Sequence, residues 1–212
     1  MAGAPTSSVD QSPTGLETGL GVRPVATARD FGRGNLRLTN APMDLAIEGD
    51  GFFQVQLPSG EVGYTRAGAF HVNGEGLLVT NDGYAVQPAI TIPAGTTSTS
   101  ISKDGIVSVM VAGQSAAQQV GTLETATFNN PSGLRAVGGN VFLPTTASGE
   151  PSTGTPGTES RGPIAQGFLE DSNVSVVEEM VQMILGQRAY EANSKVVKAA
   201  DDMLQQVNSI VR

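Results

Sequence analysis

His71 is the only imidazole in the chain, and it stands between Phe70 and Val72 in a stretch that alternates apolar and polar residues. One histidine is enough for a Ser-His-Asp site, in which a base takes the proton of a nucleophile and an acid orients the base. Yet no Gly-x-Ser-x-Gly elbow accompanies it, and without a single cysteine a lone histidine makes a poor zinc site. The acidic residues offer little more. Asp50-Gly51, Asp82-Gly83 and Asp104-Gly105 look like fragments of calcium loops but lack the ligand spacing and the distal glutamate. Asp-Gly pairs serve as hairpin turns, since both residues tolerate positive φ. Gly32-x-Gly34 has no third glycine where a phosphate loop needs one, and Gly-x-x-x-x-Gly-Lys is nowhere in the chain. Glu178 and Glu179 sit where acids complement the positive end of a helix dipole, and Glu191 and Lys195 have the spacing of an exposed i,i+4 pair. No catalytic, cofactor or metal site emerges, and a non-enzymatic protein is the expectation.

The elements that would carry these residues are mostly strands. With 27 glycines, 12 prolines and no tryptophan, the composition suits short strands and many turns. From Met43 onward, apolar alternation is broken by turn residues every eight to twelve positions, which predicts an antiparallel meander. Strands are expected around Leu45–Ile47, Phe52–Leu57, Val62–Arg66, Ala69–Val72, Leu77–Thr80 and Tyr84–Gln87, with Asn73-Gly74 as a hairpin signal. Others follow at Ile106–Val111, Gln118–Val120 running into Thr122–Phe128, Val141–Leu143 and Ile164–Leu169. The fold class expected is mainly β with one long C-terminal α-helix, the β part a meander or barrel-like domain. Three regions result: an extended arm over 1–42, a β-rich domain over 43–165 with a low-complexity mobile loop at 145–160, and a helical segment over 166–212. The arm carries Arg23, Arg29, Arg33 and Arg37, read either as a solvated strand edge or as partners for acids of a neighbouring subunit.

The helix is the largest single element predicted. From Ser175 to Val211 there is one glycine, Gly186, and no proline, and Ser175-x-x-Glu178 has the form of a capping box. Val181, Leu185, Ala192, Val196, Ala199, Met203, Val207 and Ile210 fall on one stripe that repeats every eleven residues and is interrupted by Arg188. Such a period gives a nearly straight seam rather than a left-handed coiled coil. A stripe this long demands a partner along its length. Val181, Leu185, Ala192, Val196, Met203, Val207 and Ile210 are therefore the expected assembly interface. A net charge of −8 argues against nucleic acid as that partner. No apolar run is long enough to insert in a membrane, and the first residues do not form a Sec signal.

Three blocks of sequence resemble the bacterial flagellar rod and hook axial proteins. They are Asp44-Leu-Ala-Ile-Glu-Gly-Asp-Gly-Phe-Phe53; Tyr64-Thr-Arg-Ala-Gly-Ala-Phe70 continued by Gly76-Leu-Leu-Val-Thr80; and Gln166-Gly-Phe-Leu-Glu-Asp-Ser-Asn-Val174 continued by Gln187-Arg-Ala-Tyr-Glu-Ala-Asn-Ser-Lys195. Within that family Gly19–Val25 and Gln87–Pro93 look most like the distal-rod branch, with hook and proximal-rod members as the alternative. The resemblance implies a structural subunit that polymerises helically, transmits torque from motor to hook, and leaves the cell by the flagellar type III route rather than Sec. It implies as partners further copies of itself, other rod and hook axial proteins, and basal-body ring proteins, at a basal-body location spanning the periplasm. It also implies an N-terminal helix paired with the C-terminal one, so Met1 is expected to stand at an artificial, truncated or misassigned start. A β-rich adhesin or tail-fibre-like binding module stays open as a different class, to be recognised by a ligand-facing aromatic or acidic cluster.

Overall fold

The computed structural model describes residues 29–114 and 116–210, with Asp201, Leu204 and residues 207–210 described by backbone only. Residues 1–28, most of the expected arm, lie outside it, and so does Arg23. The chain divides into residues 1–30 and 31–212, and every element below belongs to the second unit.

In chain order the strands are β1 (Leu36–Leu38), β2 (Leu45–Ile47), β3 (Phe52–Gln56), β4 (Val62–Thr65), β5 (Phe70–Val72), β6 (Leu78–Thr80) and β7 (Ala85–Gln87). There follow β8 (Thr96–Ile101), β9 (Ile106–Val111), β10 (Gln118–Thr122), β11 (Thr125–Thr127), β12 (Arg135–Gly138) and β13 (Val141–Leu143). The last are β14 (Ser152–Gly154), β15 (Ile164–Gln166) and β16 (Phe168–Glu170), before the helix α1 (Val176–Ile210).

Four of the hairpins are closed by one turn design. Leu57, Asn73, Thr80 and Ser102 each accept a hydrogen bond from the N–H three residues on and donate to the carbonyl four residues on. The fourth residue of each turn is a glycine, Gly60, Gly76, Gly83 or Gly105, with φ between 82° and 86°. This is the three-residue loop in which a type I turn ends in a left-handed residue. Asn73 Oδ1, Thr80 Oγ1 and Ser102 Oγ accept a further bond from the N–H four residues on, which draws the turn tighter. The Asn73-Gly74 hairpin thus forms, but Gly76 rather than Gly74 supplies the positive φ. Of the three Asp-Gly pairs, the second and third are such turns; Asp50 instead bridges to Arg161.

The largest sheet runs β12-β13-β4-β3-β7-β6-β5, with β11 and β14 joined to it through β3. β10-β9-β8 forms a second sheet, and β2–β15 and β1–β16 are two-stranded ribbons. The ladders are antiparallel, as the turns require. The large sheet ends in two separate edges, β12 and β5, so the domain is not a closed barrel.

The alternation within β3 builds a core on each face of that sheet. Phe53 joins Leu45, Phe70, Leu78, Ile90 and Ile164 in one cluster, and its ring meets Phe70 edge-to-face at 5.1 Å. Phe52 points the other way, into Tyr64, Ala126, Phe128 and Leu134, with Phe31 and Phe142 packed from outside. A sheet covered on both faces reads as near-continuous apolar sequence, which is why Phe52-Phe53 lacks alternation. Residues 145–160 are not a plain loop: β14 pairs with β11, and the largely buried Arg161 gathers Thr155 O, Ser152 Oγ and Thr158 Oγ1 around itself. The buried Thr125 hydroxyl has no hydrogen-bond partner among the described residues.

Candidate assembly interface

The chain leaves the β domain through β16, and the residues around that strand fix its direction. β1 pairs with β16 in the register Leu36↔Glu170, Arg37↔Leu169 and Leu38↔Phe168. Arg66 follows β4, where Thr65 Oγ1 accepts from the Ala67 N–H and bends the chain. Its guanidinium joins two segments, the Gly49–Gly51 loop and Glu170. Nη1 donates to the Gly49 and Gly51 carbonyls at 3.2 and 3.1 Å, and Nε and Nη2 lie 2.9 and 2.8 Å from Glu170 Oε2. The other carboxylate oxygen, Glu170 Oε1, accepts from the Gly34 N–H at 3.0 Å. The Arg66 and Glu170 side chains are only 17% and 12% exposed, so this pair acts in a poorly hydrated setting where charge-assisted bonds are strong. The arginine also lies over the Phe52 ring, 5.9 Å from its centroid. Gly34 is a glycine of close approach: a Cβ there would fall on the Asp171 carbonyl oxygen.

Two further ion pairs flank this clamp. Arg33 meets Asp50 and Arg37 meets Asp171, each at 3.1 Å. Both are well exposed and of the kind worth little in stability. Arg33 and Arg37 thus each meet an acid of their own chain.

Beyond β16, residues 171–175 are exposed and α1 begins. Ser175 caps it: its hydroxyl accepts from the Glu178 N–H at 3.4 Å, and its carbonyl from the Glu179 N–H at 3.1 Å. Along the 35 residues of α1, every described side chain is exposed except that of the half-buried Ser194. The ion pair that Glu191 makes runs to Arg188, at 3.8 Å, rather than to Lys195.

Successive residues on a helix are about 100° apart. Val181, Leu185, Ala192, Val196 and Met203 accordingly share one face, and all five are exposed. Val207 and Ile210 continue the same helix, but their side chains lie outside the described residues. The opposite face carries Val176, Met180, Met183, Tyr190 and Val197, each more than half exposed. Reading a single eleven-residue stripe overlooks this second face. Its signal is in the sequence, as the spacing 4, 3, 7, 7 from Val176 to Val197.

Among the described residues, the sequence-predicted candidates for chemistry are placed as follows. His71 is exposed in β5 opposite Val79. Among the described residues no cluster of His, Asp and Glu could hold a metal, and no helix is long and apolar enough to cross a membrane. Two hollows of about 280 and 230 Å³ open on the surface. Thr65, Asn81, Asp82 and Asn140 line the first, with no base beside a nucleophile. The second is part of the junction, between Arg33, Leu36, Ile47 and Glu170. Tyr64 is held above its ordinary pKa of 10.0 by burial, as a core residue would be.

Two family models match the chain. Residues 46–109 match the family described as the flagellar hook protein FlgE/F/G D1 domain, and residues 165–210 the flagellar basal body rod FlgEFG protein C-terminal family. The chain is 48% identical to the flagellar basal-body rod protein FlgG of Buchnera aphidicola subsp. Baizongia pistaciae over 97% of its length and 79% of the relative. The FlgG of Caulobacter vibrioides is 47% identical over 93% of this chain and 76% of its own, and that of Borreliella burgdorferi 44% identical over 100% and 80%.

Proposed function

The chain belongs to the flagellar FlgE/F/G rod and hook family, and on that premise we propose that α1 is the element through which its copies stack along an axis. The protein is a structural subunit of the flagellar basal-body rod, of the distal-rod kind, and assembles with other axial flagellar proteins. The observation that carries the stacking role is a 35-residue helix with apolar side chains in solvent beside a β domain that has closed its own cores. Each buried Val, Leu or Met contributes about 1.5–3 kcal/mol, so such a stripe drives association once a matching surface is met. Contacts between unlike patches that repeat without closing generate a filament rather than a ring. Close-packed helices transmit strain instead of absorbing it, which suits a shaft carrying torque. The Arg66–Glu170 clamp would hold the β domain at a fixed angle to that shaft. Export by the flagellar type III route and contact with ring proteins complete the proposal.

The test places Val196→Asp in the gene of the flagellated cell. A charge forced into a packed helix interface costs several kcal/mol. Expected are basal bodies that stop short of the distal rod in electron micrographs, together with an unchanged melting transition for the purified β domain's signal. Normal rods from Val196→Asp would overturn the assignment of α1.

A further inference from the structure

Of the chain's asparagines only Asn73 is followed by glycine; every other precedes a residue with a side chain. Asn73-Gly74 stands in the turn between β5 and β6, where Asn73, Gly74 and Glu75 are all exposed. The four like turns of the domain differ in where their glycines fall. In each, the N–H of the fourth residue donates to the carbonyl of the first, as Gly83 does to Thr80 at 2.9 Å and Gly105 to Ser102 at 3.0 Å. In those two turns the glycine after the aspartate is therefore tied at its nitrogen. Gly74 takes the second position instead, which lies outside the bond that closes a type I turn. Its N–H makes no hydrogen bond among the described residues, and nothing lies within 4 Å of where a Cβ would stand.

The Asn73 side chain is held by its oxygen. Oδ1 accepts from the Glu75 N–H and from the Leu77 N–H, both at 2.9 Å. The first of these bonds folds the side chain back over the peptide that joins Asn73 to Gly74. Two backbone donors at this distance from one carbonyl oxygen form an oxyanion hole, which stabilises charge as it develops there. An exposed, unbonded nitrogen thus follows directly on a side-chain carbonyl that is already polarised.

We propose that Asn73 is a site of autocatalytic modification, in which the Gly74 nitrogen of the folded protein attacks Asn73 Cγ and expels ammonia. The N–Cγ bond forms, the Cγ–Nδ2 bond breaks, and the Gly74 proton passes through water to the departing nitrogen. The five-membered succinimide that results is opened by a second water at either of its carbonyls, leaving aspartate or isoaspartate at position 73. Water is the co-reactant consumed, and nothing is oxidised or reduced. Either product places a new negative charge next to Glu75, beside the edge strand β5, in a chain whose net charge is already −8. Aspartate keeps an oxygen for the Glu75 and Leu77 N–H groups, whereas isoaspartate lengthens the backbone of the turn by one carbon. The charge accumulates with the age of each copy, independently of any rod.

The full chain is incubated at mildly alkaline pH in water enriched in oxygen-18, once folded and once unfolded in urea. The peptide 62–75, released by a glutamate-specific protease, is then sequenced by mass spectrometry. Asn73 should exchange its amide for labelled oxygen before any other asparagine, at no less than about one-third of the unfolded rate. Gly74→Ala crowds the attacking nitrogen without straining the fold, since Gly74 does not have positive φ and has open space beside it. It should slow the exchange at least tenfold while leaving the melting temperature unchanged. A folded rate below about one-third of the unfolded rate overturns the proposal, because the turn would then protect Asn73 rather than activate it. A smaller slowing by Gly74→Ala overturns it as well. Neither result bears on the rod reading, which Val196→Asp tests separately.

Discussion

Removing the Arg66 guanidinium should loosen the junction between the β domain and its exit strand. Arg66→Met keeps an unbranched stem of similar reach and deletes the donors. It strands the Glu170 carboxylate, 12% exposed, and leaves the Gly49 and Gly51 carbonyls without their side-chain donor. Breaking a buried pair from one side costs about 3–5 kcal/mol, and the residual hydration of this one brings the figure to about 3 kcal/mol. In a domain of this size each kcal/mol is worth about 3 °C, so the melting temperature should fall by about 9 °C. Glu170→Gln keeps an acceptor for Arg66 and loses the charge, and should cost about 1–2 kcal/mol. The double variant should be less destabilised than the sum of the singles by about 1–2 kcal/mol, because no charge is left stranded. Urea unfolding followed by circular dichroism gives each value, and hydrogen exchange should show β1 amides losing protection first, since Glu170 also holds the Gly34 N–H. A loss below about 1 kcal/mol for Arg66→Met, or a coupling within about 0.5 kcal/mol of zero, would refute the clamp.

Gly68→Ala should be among the most damaging small substitutions, because a Cβ would land on the Leu45 carbonyl oxygen; a loss above about 2 kcal/mol in urea melts is expected. Gly186→Ala should act oppositely on the two states. It should raise helicity by about 0.5–1 kcal/mol in the free protein, measured by circular dichroism, yet weaken assembly seen in electron micrographs. Burial raises the Tyr64 pKa above 10.0, so the unfolded chain ionises first as pH rises. Stability should therefore be constant below about pH 10 and fall above it, and Tyr64→Phe should remove that alkaline loss in melts at pH 9 and 11.

Most of the strand positions along the chain could be read before the structure, because buried alternation and turn residues are local signals. Within residues 43–165, three strands could not. β8 runs Thr-Thr-Ser-Thr-Ser-Ile and offers only Ile101 to the core; its pairing with β9 is what makes it a strand. β12 is exposed throughout and β14 lies in sequence of low complexity, and both exist through backbone bonds to β13 and β11. The Gln118–Phe128 run is broken at Leu123, whose burial turns the chain. The clamp was invisible for a different reason. Arg66 and Glu170 are 104 residues apart, and nothing in either neighbourhood marks a partner at that distance. On the helix, attention to one period concealed a second face equally present in the sequence. The capping serine was legible, since its geometry is confined to four residues.

β1 and β16 lie side by side and run antiparallel, so the path into the β domain and the path out of it are neighbours at one point. Between them stretch more than a hundred residues that never need to return to any other place. The domain is in effect a pendant, attached where β1 pairs with β16 and Arg66 meets Glu170, with Phe31 packed alongside. On the proposed stacking role of α1, what hangs there can lengthen, shrink or be exchanged while the spacing of the helices along the axis stays the same. A lineage could thus refit the outside of its shaft to new surroundings without re-engineering the shaft.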